Sequence, residues 1–199
     1  MKTILQVNAS ILGNEGQSTR LANEFVARLD ADKVVVRDLA SDPVPHLDAE
    51  RFGAFLTSKE KRNPMQEDIV AFSDNLIDEL KQADVIVLGL PMYNFGLPSQ
   101  LKAYFDHIAR AGVTFRYTEK GPVGLLTGKK AYVFATRGGF YEGTPRDTQT
   151  AYVRDFFAFL GITDVEFVYA EGLAISEPAK AASLAKARES LHNLVSAFA

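Results

Sequence analysis

The chain of 199 residues contains no cysteine. That absence excludes disulfides, thiolate metal sites and every cysteine nucleophile, including that of the phosphatases built on parallel sheets. The three histidines, His46, His107 and His192, stand far apart without ligand-like spacing, so no zinc site is expected and no metal is assigned. Net charge is small as well. The net charge is -3 and the basic residues are scattered, which leaves no electrostatic footprint for nucleic acid. No apolar run is long enough to span a bilayer, and the first residues lead straight into strand pattern. No membrane partner is therefore expected, and the cytoplasm is the expected compartment. Neither GxGxxG nor GxxxxGK[ST] occurs, which removes the dinucleotide fingerprint and the triphosphate P-loop.

What is present is length and alternation. A chain of this size buries roughly 70% of its unfolded surface, enough to hold a core without a disulfide or metal. The pattern runs unbroken, so a single domain over residues 1–199 is the economical reading. Its organising stretch is Asp84-Val-Ile-Val-Leu-Gly-Leu-Pro-Met-Tyr-Asn-Phe-Gly96. The run from Val85 to Leu90 lacks polar alternation, which predicts a strand covered on both faces of a parallel sheet. Pro91 cannot donate to a ladder and is expected to end the pairing. Met92, Tyr93, Asn94 and Phe95 would then project past the carboxyl edge, where open parallel sheets bind ligands. The same residues also read as an ordinary connection whose aromatics cover the sheet end.

Further strands are predicted over residues 3–9, 33–38, 131–136 and 165–170. Between the first two, Ser10 to Thr19 combines two glycines with hydroxyl and amide side chains ahead of a helix carrying Leu21, Phe25 and Leu29. Ser18 or Thr19 is the expected N-cap. A strand, a small-residue loop and a helix N-terminus together suit a single phosphate, although a plain capped connection has the same sequence signature. A long excursion over residues 40–64, with Phe52, Phe55 and Leu56, has the length of a functional or interface loop. Later helices carry the stripes Ile69, Phe72, Leu76, Ile77, Leu80, then Leu101, Phe105, Ile108 behind Pro98, then Val153, Phe156, Phe157, Leu160, and finally Leu184, Leu191, Leu194, Phe198. Residues 113–126, with Phe115 and Tyr117 in alternation, predict a hairpin-like insertion at the carboxyl edge. Thr136, Arg137, Gly138 and Gly139 follow the fourth sheet strand. Paired glycines there either let backbone approach a flat ligand or serve a flexible loop.

Five strands alternating with five helices predict an α/β fold: a doubly wound, five-stranded parallel sheet in three layers, with the flavodoxin-like order 2-1-3-4-5. Its switch point lies between strands one and three, and so sets the phosphate loop beside Met92–Phe95 with Thr136–Gly139 next along. A phosphate joined to a planar ring system would occupy all three. FMN is such a ligand.

The segments Met92-Tyr-Asn-Phe95, Ala111-Gly-Val-Thr-Phe-Arg-Tyr-Thr118, Thr127-Gly-Lys-Lys130, Arg137-Gly-Gly139 and Gly161-Ile-Thr-Asp164 resemble the FMN-dependent NADH:quinone oxidoreductases, also called FMN-dependent NADH-azoreductases. The resemblance covers essentially the whole chain. It implies non-covalent FMN held by Ser10, Gly16, Gln17 and Ser18, with the ring held by Met92, Tyr93, Asn94 and Phe95 and by Thr136, Arg137, Gly138 and Gly139. Thr136 stands where the family pattern has serine, and Tyr141 where some members have histidine. The implied reaction is ping-pong: NADH or NADPH passes a hydride to the flavin and leaves, and a quinone or aromatic azo compound takes its place. A homodimer with shared sites is also implied.

Two rivals share the strand order. An electron-transfer flavodoxin would be strongly acidic, whereas the sequence pI is about 5.7. A receiver-type signalling module would need acidic residues at the ends of strands one and three, where this chain has Asn8 and Pro91. Phe115, Tyr117, Phe140 and Tyr141, on two irregular loops, are the candidates for stacking on flat acceptors, with packing as the alternative for Tyr117 and Tyr141. Phe159 completes this set. At about 100° per residue it falls roughly 110° from the core stripe of its helix, on a face shared with Tyr152. The resemblance implies that it crosses a dimer interface toward the partner's flavin.

Overall fold

A computed structural model of the protein describes residues 2–198, with side chains as far as Ser196. In chain order the elements are β1 (Thr3–Asn8), α1 (Gln17–Val26), β2 (Lys33–Asp38), α2 (Ala49–Leu56), α3 (Pro64–Gln82), β3 (Val85–Pro91), α4 (Ser99–Ile108), β4 (Phe115–Thr118), β5 (Gly121–Gly124), β6 (Lys130–Thr136), α5 (Thr150–Leu160), β7 (Asp164–Ala170) and α6 (Glu177–Phe198). Five strands form one parallel sheet in the order β2-β1-β3-β6-β7, while β4 and β5 pair separately as an antiparallel hairpin. Counted within the sheet, this is the predicted order 2-1-3-4-5.

Alternate side chains of the central strands divide the core in two. Ile4, Val85, Val87, Tyr132 and Phe134 meet Leu21 and Phe25 of α1 and Leu184 and Leu191 of α6. Leu5, Val7, Ile86, Leu88 and Val133 face Leu76, Leu80, Leu101, Phe105 and Phe157 of α3, α4 and α5. Each fully buried aliphatic or aromatic side chain contributes about 1.5–3 kcal/mol, and two such layers explain why β3 carries no polar alternation. The side chain of Phe198, the last member of the predicted α6 stripe, lies outside the described residues.

Four details depart from the sequence reading. Pairing does not stop at Pro91: that residue lies opposite Thr136, and the Met92 N–H donates to the Thr136 carbonyl at 2.9 Å. The missing N–H of Pro91 falls on the side of β1, whose last contact is Ala9 N–H to Gly89 O, so it interrupts nothing. Pro98 is the N-cap of α4 instead of a residue of its first turn.

The 40–64 excursion is not an open loop. It folds into α2, capped by Asp48, and Phe55 packs edge-on against His107 at 5.9 Å. Arg110 lies 4.9 Å above the Phe55 ring and pairs with Asp74, which ties α2 to α3 and α4. Burial holds the His107 imidazole below its ordinary pKa, so it packs there as a neutral ring.

The hairpin, finally, is rooted at the amino edge of the sheet. A crossover helix returns the chain to that edge, and α4 therefore delivers Val113 there. Leu126 N–H donates to Leu160 O at 2.8 Å, which fixes the hairpin base against the end of α5.

One core side chain is poorly matched to its surroundings. Tyr104 is 2% exposed, its hydroxyl has no partner among the described residues, and burial pushes its pKa far above the ordinary phenol value. Tyr104→Phe removes the unsatisfied group without leaving a void, and should be neutral or stabilising by about 1 kcal/mol in urea unfolding. A loss exceeding ~1 kcal/mol would reveal a partner for the hydroxyl.

Candidate functional site at the carboxyl edge

The loop after β1 and the start of α1 form the first wall. Ser10 is buried; its Oγ accepts from Leu12 N–H at 3.2 Å and lies 3.3 Å from the Tyr93 hydroxyl. The N-cap of α1 is Gly16, not Ser18 or Thr19, and no side chain caps it. The first helical bond runs from Arg20 N–H to Gly16 O at 2.9 Å, so the N–H groups of Gln17, Ser18 and Thr19 have no helical acceptor. A serine cap would satisfy those donors, whereas here they stay available at the positive end of the helix. Gly16 is required by space, since a Cβ would come within 2.1 Å of Ser10 Oγ. Ser18 and Thr19 are fully buried, and their hydroxyls have no partner among the described residues. Three orphan N–H groups and the hydroxyls around them match the acceptor-rich chemistry of a phosphate.

β3 and β6 supply the second wall. A cavity of about 190 Å³ opens between Ser10, Gly16 and Gln17 on one side and Met92, Tyr93 and Gly138 on the other. Tyr93 and Gly96 exchange backbone hydrogen bonds, 3.2 and 2.9 Å, across a two-residue turn whose central residues Asn94 and Phe95 both have positive φ. The segment from 137 to 139 is fastened from outside, because the carbonyls of Arg137, Gly138 and Gly139 accept from Leu173, Ala174 and Gly172. The N–H groups of Gly138 and Gly139 find no acceptor among the described residues. Donors at a cavity wall suit the carbonyl and nitrogen acceptors of a flavin ring.

The Arg137 side chain does not reach the cavity. Its guanidinium has no exposed surface, pairs with Asp147 at 2.7 Å and Glu171 at 3.0 Å, and lies 5.1 Å over the Tyr169 ring. The same Glu171 oxygen accepts from the N–H groups of Tyr141 and Glu142 at 2.9 Å each. Arg137 thus shapes the loop through charge and lines the cavity only with its backbone. Burial opposes ionisation of Asp147, but its bonds from Arg137 and Thr150 outweigh that, and the carboxyl is held below its ordinary range.

Comparison with known proteins agrees with this geometry. The family described by its flavodoxin-like fold matches residues 2–195. FMN-dependent NADH:quinone oxidoreductase 6 of Burkholderia lata is 57% identical over 195 residues, which cover 96% of this chain and 98% of that protein. The chain belongs to the flavodoxin-like FMN-dependent NADH:quinone oxidoreductases. An FMN-dependent NADH:quinone oxidoreductase of Cellvibrio japonicus is 54% identical over 190 residues, 94% of this chain and 96% of that one. The solved structure of an FMN-dependent NADH-azoreductase from Bacillus anthracis, in complex with FMN, superposes with a TM-score of 0.89 at 27% identity, covering both chains completely.

Of the five aromatic residues expected to contact an acceptor, the fold puts only Phe140 and Tyr141 on a carboxyl-edge loop, the one after β6. The Tyr141 ring lies edge-on to Phe95 at 5.4 Å, whereas the Phe140 ring, 62% exposed, covers Gly172 and lines a separate cavity with Glu142 and Tyr169. Phe115, Tyr117 and Phe159 gather elsewhere, which corrects the placement of both irregular loops at one edge. α5 has 11 residues and is roughly 16 Å long, so Phe159 lies at the opposite edge of the sheet from Thr150. There it packs on Phe115 at 4.2 Å, with Tyr117 edge-on to Phe115 at 5.4 Å. The face expected to be uncovered is thus half-occupied by the hairpin.

Sequence reasoning missed the residues that support the loops: Gly89, Asp147, Thr148, Gln149 and Glu171. The polar run Asp147-Thr-Gln-Thr150 just before an apolar stripe was the available signal. Removing one member of a buried ion-pair network costs about 3–5 kcal/mol, and Asp147→Asn should destabilise the protein by an amount at the lower end of that range. Because the folded carboxyl pKa is depressed, the difference from wild type should be full at neutral pH and shrink as pH falls below about 4. Urea unfolding at pH 7 and pH 3.5 measures it, and an equal difference at both would remove the Arg137–Asp147 charge pair from the account.

Proposed function

We propose that this protein is an FMN-dependent NAD(P)H oxidoreductase that reduces quinones and aromatic azo compounds in two successive half-reactions. The observation that carries the reading is the uncapped first turn of α1, kept open by Gly16 against Ser10 beside the cavity at the carboxyl edge. The names of the relatives point the same way. FMN held in that cavity would supply two-electron redox chemistry between reduced nicotinamide and an acceptor.

The chain's own residues bind and orient. Ser10, Gln17, Ser18 and the amides of the first turn hold the phosphate. Met92, Tyr93, Asn94 and Phe95 on one side, and Thr136, Gly138 and Gly139 on the other, hold the ring, with the glycine N–H groups as donors. Arg137 and Glu171 fix the loop that presents them. Phe140 and Tyr141 offer apolar surface to a flat acceptor. No side chain is assigned to proton transfer.

The same proposal makes the protein a cytoplasmic homodimer, each copy a single domain. Exposed Ile11, Leu12, Phe95, Phe140 and Ile175 surround the cavity loops, and Tyr117, Val123 and Leu125 are exposed on the distant hairpin. Apolar groups gathered this way mark association surfaces. Pairing two copies would set the hairpin and Phe159 of one against the cavity rim of the other, completing a substrate pocket that a single chain leaves open. Initial rates with NADH and NADPH against a quinone and an azo dye should give parallel double-reciprocal lines in an FMN-replete dimer. Phe159→Ala should raise the acceptor KM while leaving the FMN content at one per chain. A monomer that retains full activity would refute the shared pocket.

A further inference from the structure

Asn94 and Phe95, at φ 49° and 61°, are the non-glycine residues with positive φ among the described residues. Asparagine tolerates that region, whereas a phenylalanine there is strained. Its own burial does not explain it, since Phe95 is 49% exposed. What holds the turn comes from the segment ahead of α5. Gln149 is completely buried, and its Nε2 donates to Pro91 O and Gly96 O, both at 3.0 Å, on either side of the turn. Thr148 Oγ1 donates to Phe95 O, between those two carbonyls in sequence. The Oε1 of Gln149 has no partner among the described residues. A buried side chain that leaves its own acceptor unsatisfied is explained by what its donors do.

We propose that Gln149 is a positioning residue for the cofactor site. Its amide bridges Pro91 and Gly96, holds the strained turn between them, and so keeps Met92 and Tyr93 on the cavity wall. Gln149 does not line the cavity itself and acts through the backbone it grips. Side-chain chemistry explains the choice, because a primary amide nitrogen carries two N–H donors, one for each carbonyl. Methionine has similar length with no donor. Glutamate, when ionised, presents only acceptors to the two carbonyls. The inference rests on the FMN reading, and it makes a specific claim about Phe95. Phe95→Gly would give the turn Asn-Gly at its centre, the pair that adopts positive φ at both positions most readily. In that background the clamp should be redundant.

A double-mutant cycle tests this. FMN is titrated into apoprotein of wild type, Gln149→Met, Phe95→Gly and the double variant, with the visible circular dichroism of bound flavin as the second readout. Gln149→Met should raise the FMN Kd about tenfold and alter the flavin spectrum, whereas in the Phe95→Gly background the same change should raise it less than twofold. Gln149→Glu should repeat the first effect, which separates loss of donors from any packing peculiarity of methionine. A wild-type Kd and spectrum in Gln149→Met, or an equal penalty with and without Phe95, would overturn the proposal. Failure of wild-type apoprotein to take up FMN would refute the cofactor reading and the clamp with it.

Discussion

The first turn of α1 sits so close to β3 that a Cβ at Gly89 would come within 3.2 Å of Ser18 O and 3.4 Å of Thr19 N. That contact fixes where the positive end of the helix lies relative to the sheet, and the rest of the site is arranged around it. α1 packs on one face with α6, while α4, leaving the neighbouring strand β3, packs on the other. Adjacent strands whose helices depart to opposite faces leave a crevice at their carboxyl ends. A side chain at position 89 would lift the helix from the sheet and widen that crevice from below. Glycine in the middle of a buried strand is unfavourable by itself, and its presence here is explained by this close approach.

A crevice alone does not fix its walls, and two buried polar systems do so here. Around Arg137, Asp147 and Glu171 gather Thr150 and the amides of Tyr141 and Glu142, so one cation organises the loops after both β6 and β7. Isolated buried charges are costly, but a network with its members paired converts that cost into a strong preference for one loop arrangement. The second system is the amide of Gln149 on the turn after β3. Both originate in residues 137–150, which therefore set the shape of the cavity while contributing little surface to it.

The sequence read well wherever burial decides the outcome. The strand order followed from apolar runs and helical stripes, and the three cavity loops followed from the order. Ser10, Gly16, Gln17, Met92, Tyr93, Thr136 and Gly138 all line one cavity. What was not legible depends on interactions between distant residues. The cap of α1 was expected at Ser18 or Thr19 and lies at Gly16, because spacing cannot reveal the collision a Cβ at position 16 would make with Ser10. That the Arg137 side chain turns to a buried ion pair while the residue still lines the cavity was not legible, because its partners Asp147 and Glu171 lie 10 and 34 residues further on. The hairpin was assigned to the wrong edge for a related reason: its aromatic alternation is visible, but the direction of the preceding helix decides where it emerges.

The central claim is that this crevice is a flavin site whose affinity is anchored at the phosphate end, by the unpaired amides of the first turn of α1. Calorimetric titration of apoprotein with FMN and with riboflavin, identical except for the phosphate, tests that claim most directly. The account predicts one FMN per chain, bound at least about a hundredfold more tightly than riboflavin, a difference of about 2.7 kcal/mol. Equal affinity for the two would contradict it.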